Sequence, residues 1–419
     1  MSHSGGIGRW QGAGLLATTL LGTGVFILPQ LTLQQAQAQA LWVWLLLTVL
    51  AVPLTMVFGA LAGRLPDAAG PAHFVATAFG ELAGRVLGLM FLLVVPLGAC
   101  AALLMTWSFI EPWFGADWRL AGQCGFLAVL YLLNRVGFQL SARLQLGLTL
   151  AIVVVVLLLL ILAALQAGEP GQLTAASWPS PDWQASGLSA ALALGFWSFL
   201  GVEAMTHLAQ DFRDARRDML PALLTGLGLV GLIYLGCCWL LLAVSPPGSV
   251  WSMTQAFAAL TGSDGQWIIA VLGLCSGLAT VNVYTASVAR LAWRFSCQGV
   301  LPALLQPLNR YQVPERPLLL ILLLMLAVIL LSSQLPQPLE ALIGWVNGVF
   351  LLIYLASMLA ATRLLPARYQ PLAWLSTLLC LGLLAVLGLQ LWYGVLLIAL
   401  LTPLLWWQQR LRASAVARP

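Results

Sequence analysis

Two ionisable side chains stand where the sequence is otherwise apolar. Glu203 ends the run Phe196-Trp197-Ser198-Phe199-Leu200-Gly201-Val202-Glu203, and His207 follows four residues later. Four residues is about one helical turn, so the two share a helix face. A buried acid in such a run is costly and is a functional candidate by default. Two readings stay open for Glu203: its protonation couples to another event, or it is a structural carboxylate that caps broken backbone near Gly22–Gly24. For His207 they are a proton relay and a helix-end structural role. A metal site needs a third ligand at least, and no other His or acid is near in sequence.

A second chemistry is carried by backbone. Leu20-Leu21-Gly22-Thr23-Gly24-Val25-Phe26, with Pro29 after it, interrupts one apolar run, and Ser198 to Gly201 interrupts another. Unpaired backbone survives at membrane depth only where it lines a cavity. Free N–H groups around Leu21, Gly22, Thr23 and Gly24, with Thr19 one turn before, suit a carboxylate, helped by the positive end of the following half-helix. Free carbonyls near Phe196–Phe199 suit an ammonium. An α-amino acid supplies both charges. Phe196 and Trp197 would line an apolar pocket, and Ser198 offers a hydroxyl. The competing reading of the glycines is close helix packing, which also covers Gly59/Gly63, Gly80/Gly84 and Gly273/Gly277.

These residues need elements to position them. The chain has 419 residues, 61% hydrophobic and 7% charged, against about 25% charged in a soluble domain. Lipid is therefore its main solvent. A bilayer core takes about 20 apolar residues per helix. Spans are expected near 13–37, 41–63, 86–109, 120–138, 143–166, 187–209, 219–243, 266–294, 317–333, 338–362, 371–389 and 391–409. The first is read as a transmembrane helix rather than a signal peptide, because Ala13–Leu33 is too long for an h-region and carries glycines and Pro29. The run 372–407 is split near Gln390–Gly394, since 36 residues would extend about 54 Å.

The expected fold is thus all-α, a single transmembrane unit of about twelve helices. The outer connector 167–186, with Trp178 and Trp183, suits the interface. With both termini in the cytoplasm, 17 of the 18 arginines fall inside and only Arg119 outside, the pattern of the positive-inside rule. The chain has no lysine, which removes P-loop chemistry and Schiff bases. The net charge of +5 comes from short connectors, with no stripe that would bind nucleic acid. Gly226-Leu227-Gly228-Leu229-Val230-Gly231 matches a dinucleotide fingerprint, but it lies inside an apolar span with no strand before it. Cys usage implies no disulfide framework. No cofactor and no metal are implied, and no oligomeric state follows.

The two breaks are five spans apart. Five is odd, so the second copy enters the bilayer from the opposite face, as in inverted-repeat transporters. The repeats would cover about 10–166 and 187–362, with extra helices at about 371–409.

Gly22-Thr23-Gly24-Val25-Phe26 resembles the first-helix signature of the amino acid–polyamine–organocation transporters. Trp197-Ser198-Phe199-Leu200-Gly201-Val202-Glu203 is similar to their sixth-helix signature. Phe212-Arg213-Asp214-Ala215-Arg216-Arg217-Asp218-Met219-Leu220-Pro221-Ala222 and Leu65-Pro66-Asp67-Ala68-Ala69-Gly70-Pro71-Ala72-His73-Phe74 resemble the stretches that follow helices 6 and 2. The resemblance implies the five-plus-five fold, with helix 8 facing the site, where Asn282 would bind substrate, and with Tyr284 of helix 8 and Trp345 and Asn347 of helix 10 able to gate it. Its closer matches, in Thr18-Thr19-Leu20-Leu21, Ala72-His73-Phe74-Val75 and Val281-Asn282-Val283-Tyr284, imply export of neutral apolar amino acids: methionine, leucine, isoleucine and valine. A proton, the amino acid and the bilayer are the implied partners, and a bacterial inner membrane the location. An uptake carrier or exchanger on the same fold, and a membrane-embedded enzyme, are the alternatives. The enzyme would need paired acids or a Ser/His couple at depth.

Overall fold

The computed structural model describes residues 7–67, 69–137, 142–166, 185–246, 248–262 and 265–416. Most of the 167–186 connector lies outside them. The helices are α1 (Arg9–Leu21), α2 (Leu28–Ala36), α3 (Ala40–Arg64), α4 (Pro71–Phe79), α5 (Glu81–Ser108), α6 (Glu111–Phe114), α7 (Arg119–Arg135), α8 (Ala142–Gln166), α9 (Ala185–Phe196), α10 (Val202–Thr206), α11 (Ala215–Val244), α12 (Met253–Thr261), α13 (Gln266–Cys297), α14 (Glu315–Ser332), α15 (Pro338–Leu364), α16 (Gln370–Leu387) and α17 (Trp392–Val416). There is no β-strand among the described residues, only an isolated bridge between Ile7 and Phe212.

Runs of Leu, Val, Ala and Ile with hardly a charge leave helix as the way to satisfy backbone in lipid. Nine helical segments among the described residues are long and apolar enough to cross a membrane. One of these runs through α2 and α3 together, and another through α16 and α17. α1 has 13 residues and α7 has 17, so neither reaches that length alone. The expected spans therefore fall on helices, with the shortfall arising where a helix is short, interrupted or continuous with its neighbour.

Local signals explain several ends. Asp214 caps α11, its carboxylate accepting from the amides of Arg216 (3.0 Å) and Arg217 (3.2 Å), the role that short acidic side chains fill at helix starts. Ser252 and Gln255 form a capping box at α12. The loop before α11 is also tied to the N-terminal segment: the Ile7 amide donates to the Asp211 carbonyl (2.8 Å), and the Arg213 amide to the Ile7 carbonyl (3.0 Å).

α11 lies along α1 and α3, and small residues set its depth. A Cβ on Gly226 would sit 2.8 Å from the Ala13 carbonyl and 3.0 Å from Leu16 Cβ, and one on Gly231 would meet Thr48. Gly228, between them, faces open space. The glycine-rich match in α11 is thus a packing surface. Gly226→Val is expected to lower the thermal unfolding midpoint of the purified protein, since overpacking costs about 1–3 kcal/mol. Gly228→Val should leave the midpoint in place. Equal midpoints for the two variants would refute this reading of α11.

Candidate functional site

The first break lies between α1 and α2. Gly22 has φ +21°, outside the helical range, and the chain turns through residues 22–27 before α2 begins with Pro29 in its first turn. Proline there needs no amide partner. Gly24 and Val25 both donate to the Leu21 carbonyl (3.1 Å each). The amides of Thr23 and Phe26 donate to no acceptor among the described residues. Two carbonyls of this segment are held from outside: Ser276 Oγ donates to Gly22 O (2.8 Å), and the Tyr234 hydroxyl to Leu20 O (3.2 Å). Tyr234 is in turn stacked on Trp44 at 4.4 Å, whose indole donates to Thr32 Oγ1 (3.0 Å) on α2.

The second break lies between α9 and α10. A 3-10 turn covers Trp197–Phe199, Leu200 is extended and Gly201 has φ +129°. The second break packs on the last turn of α1, just before the first break: a Cβ on Gly201 would lie 2.7 Å from Thr19 Cγ2. Glu203 is fully buried. Its Oε2 accepts from the Gly201 amide (2.9 Å) and from the Tyr354 hydroxyl on α15. Oε1 has no partner among the described residues. The carboxylate therefore caps broken backbone, but that of its own segment rather than Gly22–Gly24.

A cavity of about 700 Å³ approaches the breaks from one end of the bundle. Glu81, Arg85, Arg290, Arg294 and Gln298 stand around one part of it, with His73 and His207 on its wall. It extends to Thr19, Ser276 and Thr280, beside the first break. Leu15, Leu87, Phe91, Leu148, Met205, Val283, Leu291 and Ile353 supply apolar wall. The Thr280 hydroxyl would be 3.2 Å from a Cβ on Gly22, so one side-chain layer separates the cavity from the break. On the other side of the break Phe26 is buried and meets Phe109 edge-on at 6.1 Å, and Phe109 packs on Gly273.

Of the residues singled out from sequence, Thr19, His207 and Tyr284 line this cavity. Leu21, Gly22, Thr23 and Gly24 are buried directly behind its end. Phe196 and Phe199 turn to the opposite side, Phe196 against Tyr354 (6.1 Å) and Phe199 near Trp44 (6.5 Å). Ser198 is buried and Trp197 half-buried. Asn282 accepts from Asn134 Nδ2 on α7 (2.7 Å). Trp345 packs on Trp392 of α17 (5.4 Å). Asn347 Nδ2 donates to Ala193 O on α9 (2.5 Å), tying α15 to the second broken helix. His207 and Glu203 share one helical turn but not one environment: the histidine meets Phe91 (5.8 Å) on the cavity wall, and the acid meets Tyr354 in the core. Sequence reading missed Ser276, Thr280, Tyr234 and Tyr354. Hydroxyls and phenols inside apolar runs are the signal that marks them, because each needs a buried partner.

Residues 7–412 match the family model described as amino acid permease. The chain is 37% identical to the L-methionine/branched-chain amino acid exporter of Escherichia coli (strain K12), over 94% of each chain. It is 23% identical to the cadaverine/lysine antiporter of the same organism, over 80% of this chain and 76% of that one. In fold it is similar to the crystal structure of the Eremococcus coleocola manganese transporter in complex with an aromatic bis-isothiourea compound. The TM-score is 0.60 at 17% sequence identity, covering 95% of this chain and 93% of that one. A broken-helix bundle matched by the family model along nearly its whole length is a multi-pass membrane carrier and not an enzyme: the chain belongs to the amino acid permease family.

Proposed function

We propose that this protein is a secondary exporter of neutral apolar amino acids (methionine, leucine, isoleucine and valine), driven by proton re-entry. The observation that carries the reading is the approach of an apolar-walled cavity to the first break, where the Thr23 and Phe26 amides are uncommitted. Those amides and the start of α2 suit the substrate carboxylate. Carbonyls of the Trp197–Phe199 turn suit its ammonium. The cavity end beside the break is formed by Thr19, Ser276 and Thr280 and carries no charged side chain, which favours a neutral substrate. The 37% identity to a methionine and branched-chain exporter supports both substrate class and direction.

On this reading α1 with α2, and α9 with α10, are each one span, so the helices make twelve. The first five and the next five are inverted repeats, and α16 and α17 are additional. Both termini and the arginine-bearing mouth face the cytoplasm of a bacterial inner membrane. Glu203 is the proton-coupling group. Trp345 and Asn347 gate the site through α15. An exchanger or uptake carrier is the second reading, favoured by the likeness to an antiporter.

The test is flux in proteoliposomes. Labelled methionine and leucine should move, with a rate set by an imposed pH gradient, and Gly22→Leu should abolish the movement. If neither substrate moves, or if Gly22→Leu transports normally, the assignment is wrong.

A further inference from the structure

α13 carries a stripe of cavity-lining residues from the break to the mouth: Thr280, Tyr284, Ser287, Arg290, Leu291 and Arg294. Their spacing of three and four residues places them on one helix face. Arg290 and Arg294 are exposed into the mouth, and neither guanidinium forms an ion pair or hydrogen bond among the described residues. The other charges lining the mouth among the described residues are Arg85 and Glu81, one turn apart on α5 with 3.8 Å between Nε and Oε2, and the neighbouring histidines are His73 and His207. Arg85 and Glu81 offset one another, so among the described residues the unpaired charge facing the cavity is that of Arg290 and Arg294.

Arg290 is ten residues beyond Thr280 along α13 and Arg294 fourteen, which places them about 15 and 21 Å away. Those are backbone separations, and an arginine side chain leans back toward the start of its helix; even so, Arg294 stands far enough from Thr280 that an amino acid held by the arginine pair stops short of the break. A guanidinium beside apolar wall (Leu291 and Phe91) matches a carboxylate followed by an aliphatic side chain, since arginine binds carboxylates with paired N–H donors. We propose that Arg290 and Arg294 form a waiting site for the carboxylate of the incoming apolar amino acid, ahead of the site at the breaks. The proposal rests on reading the chain as an amino acid carrier. It assigns the two arginines a part in substrate capture that positive-inside orientation alone would not give them. It also makes the mouth unfavourable to amines that lack a carboxylate.

The test uses the full chain in phosphatidylcholine vesicles, with leucine flux measured separately from the arginine-bearing side and from the other side. Arg290→Gln should raise the KM on the arginine side about fivefold, and Arg290→Gln with Arg294→Gln about tenfold or more. The KM from the opposite side should not move. Isoamylamine, leucine without its carboxylate, should fail to compete from the arginine side, and 4-methylvalerate should compete there only while the arginines are present. A misinserted variant would lose flux on both sides, so the unaltered protein gives a second readout. Salt raised from about 0.02 M to about 0.5 M on the arginine side should raise that KM severalfold, because exposed charge is screened. An unshifted KM in the double variant, together with a salt-independent KM, overturns the waiting site alone. An effect seen only when phosphatidylglycerol is added assigns the arginines to lipid headgroups and also overturns it. A parent protein that moves neither leucine nor methionine overturns the transport reading and this one with it.

Discussion

Gly201→Ala is expected to cut methionine flux at least tenfold while the protein still inserts and purifies. Gly201 has φ +129° with ψ −12°, a region that a side chain rarely enters. Forcing one there costs about 1–3 kcal/mol. The added Cβ also has nowhere to go. It would lie 2.7 Å from Thr19 Cγ2 and 3.1 Å from Leu20 Cδ2, both on the last turn of α1. Either the Gly201 turn relaxes toward helix or α1 shifts away. Relaxation removes the amide that holds Glu203 Oε2, and a shift moves Thr19 at the end of the cavity. Both routes reach the site, although alanine is the smallest possible change. Gly22→Ala should be milder, because its contacts are looser, Thr280 Oγ1 at 3.2 Å and the Thr19 carbonyl at 3.3 Å, although its φ of +21° also disfavours a side chain. A Gly201→Ala protein with parental flux would show that the contact of the second break with the last turn of α1 is incidental.

The backbone part of this site is legible from sequence, and the side-chain part much less so. Gly22-Thr23-Gly24 and Ser198 to Gly201 stand out because glycine and polar residues interrupt long Leu- and Val-rich runs, and the helices stop at those places. Which side chains face the cavity depends on how each half-helix is rotated after its break. No periodicity survives an irregular turn to report that rotation. Phe196 and Phe199 illustrate this: they flank the break in sequence but pack toward Tyr354 and Trp44. Trp345 has an amphipathic side chain at depth for a different reason, a contact with Trp392 of the last span. Asn282 uses its amide oxygen on Asn134, 148 residues away. A buried polar residue signals that a partner exists, but it does not distinguish a ligand from a neighbouring helix.

Glu203→Gln should separate proton coupling from architecture. Glutamine keeps the volume and can offer its carbonyl oxygen to the Gly201 amide and the Tyr354 hydroxyl, so both hydrogen bonds to Oε2 can persist. What it cannot do is exchange a proton. The expected protein is folded and catalyses methionine exchange at near-parental rate in the absence of a gradient. Uphill movement driven by a pH gradient should fall to background, at least tenfold below the parent. Tyr354→Phe provides the contrast. It removes one donor from a fully buried acid and leaves the amide of Gly201 as the sole partner of Oε2 among the described residues, a loss of about 0.5–1.5 kcal/mol for one hydrogen bond. Phenylalanine also removes the contact of the Tyr354 oxygen with the Phe199 carbonyl (3.3 Å), which competes with Glu203 for the same phenol proton. That variant should retain gradient-driven flux with an altered pH dependence and a lower unfolding midpoint. Opposite outcomes in the two variants are therefore the signature of coupling: one loses the driving force and keeps the fold, the other keeps the driving force and loses stability. If Glu203→Gln transports uphill with the parental pH dependence, the carboxylate is only a cap for the second break, and the proton must enter through another group. His207, already on the cavity wall, would then be the next residue to replace.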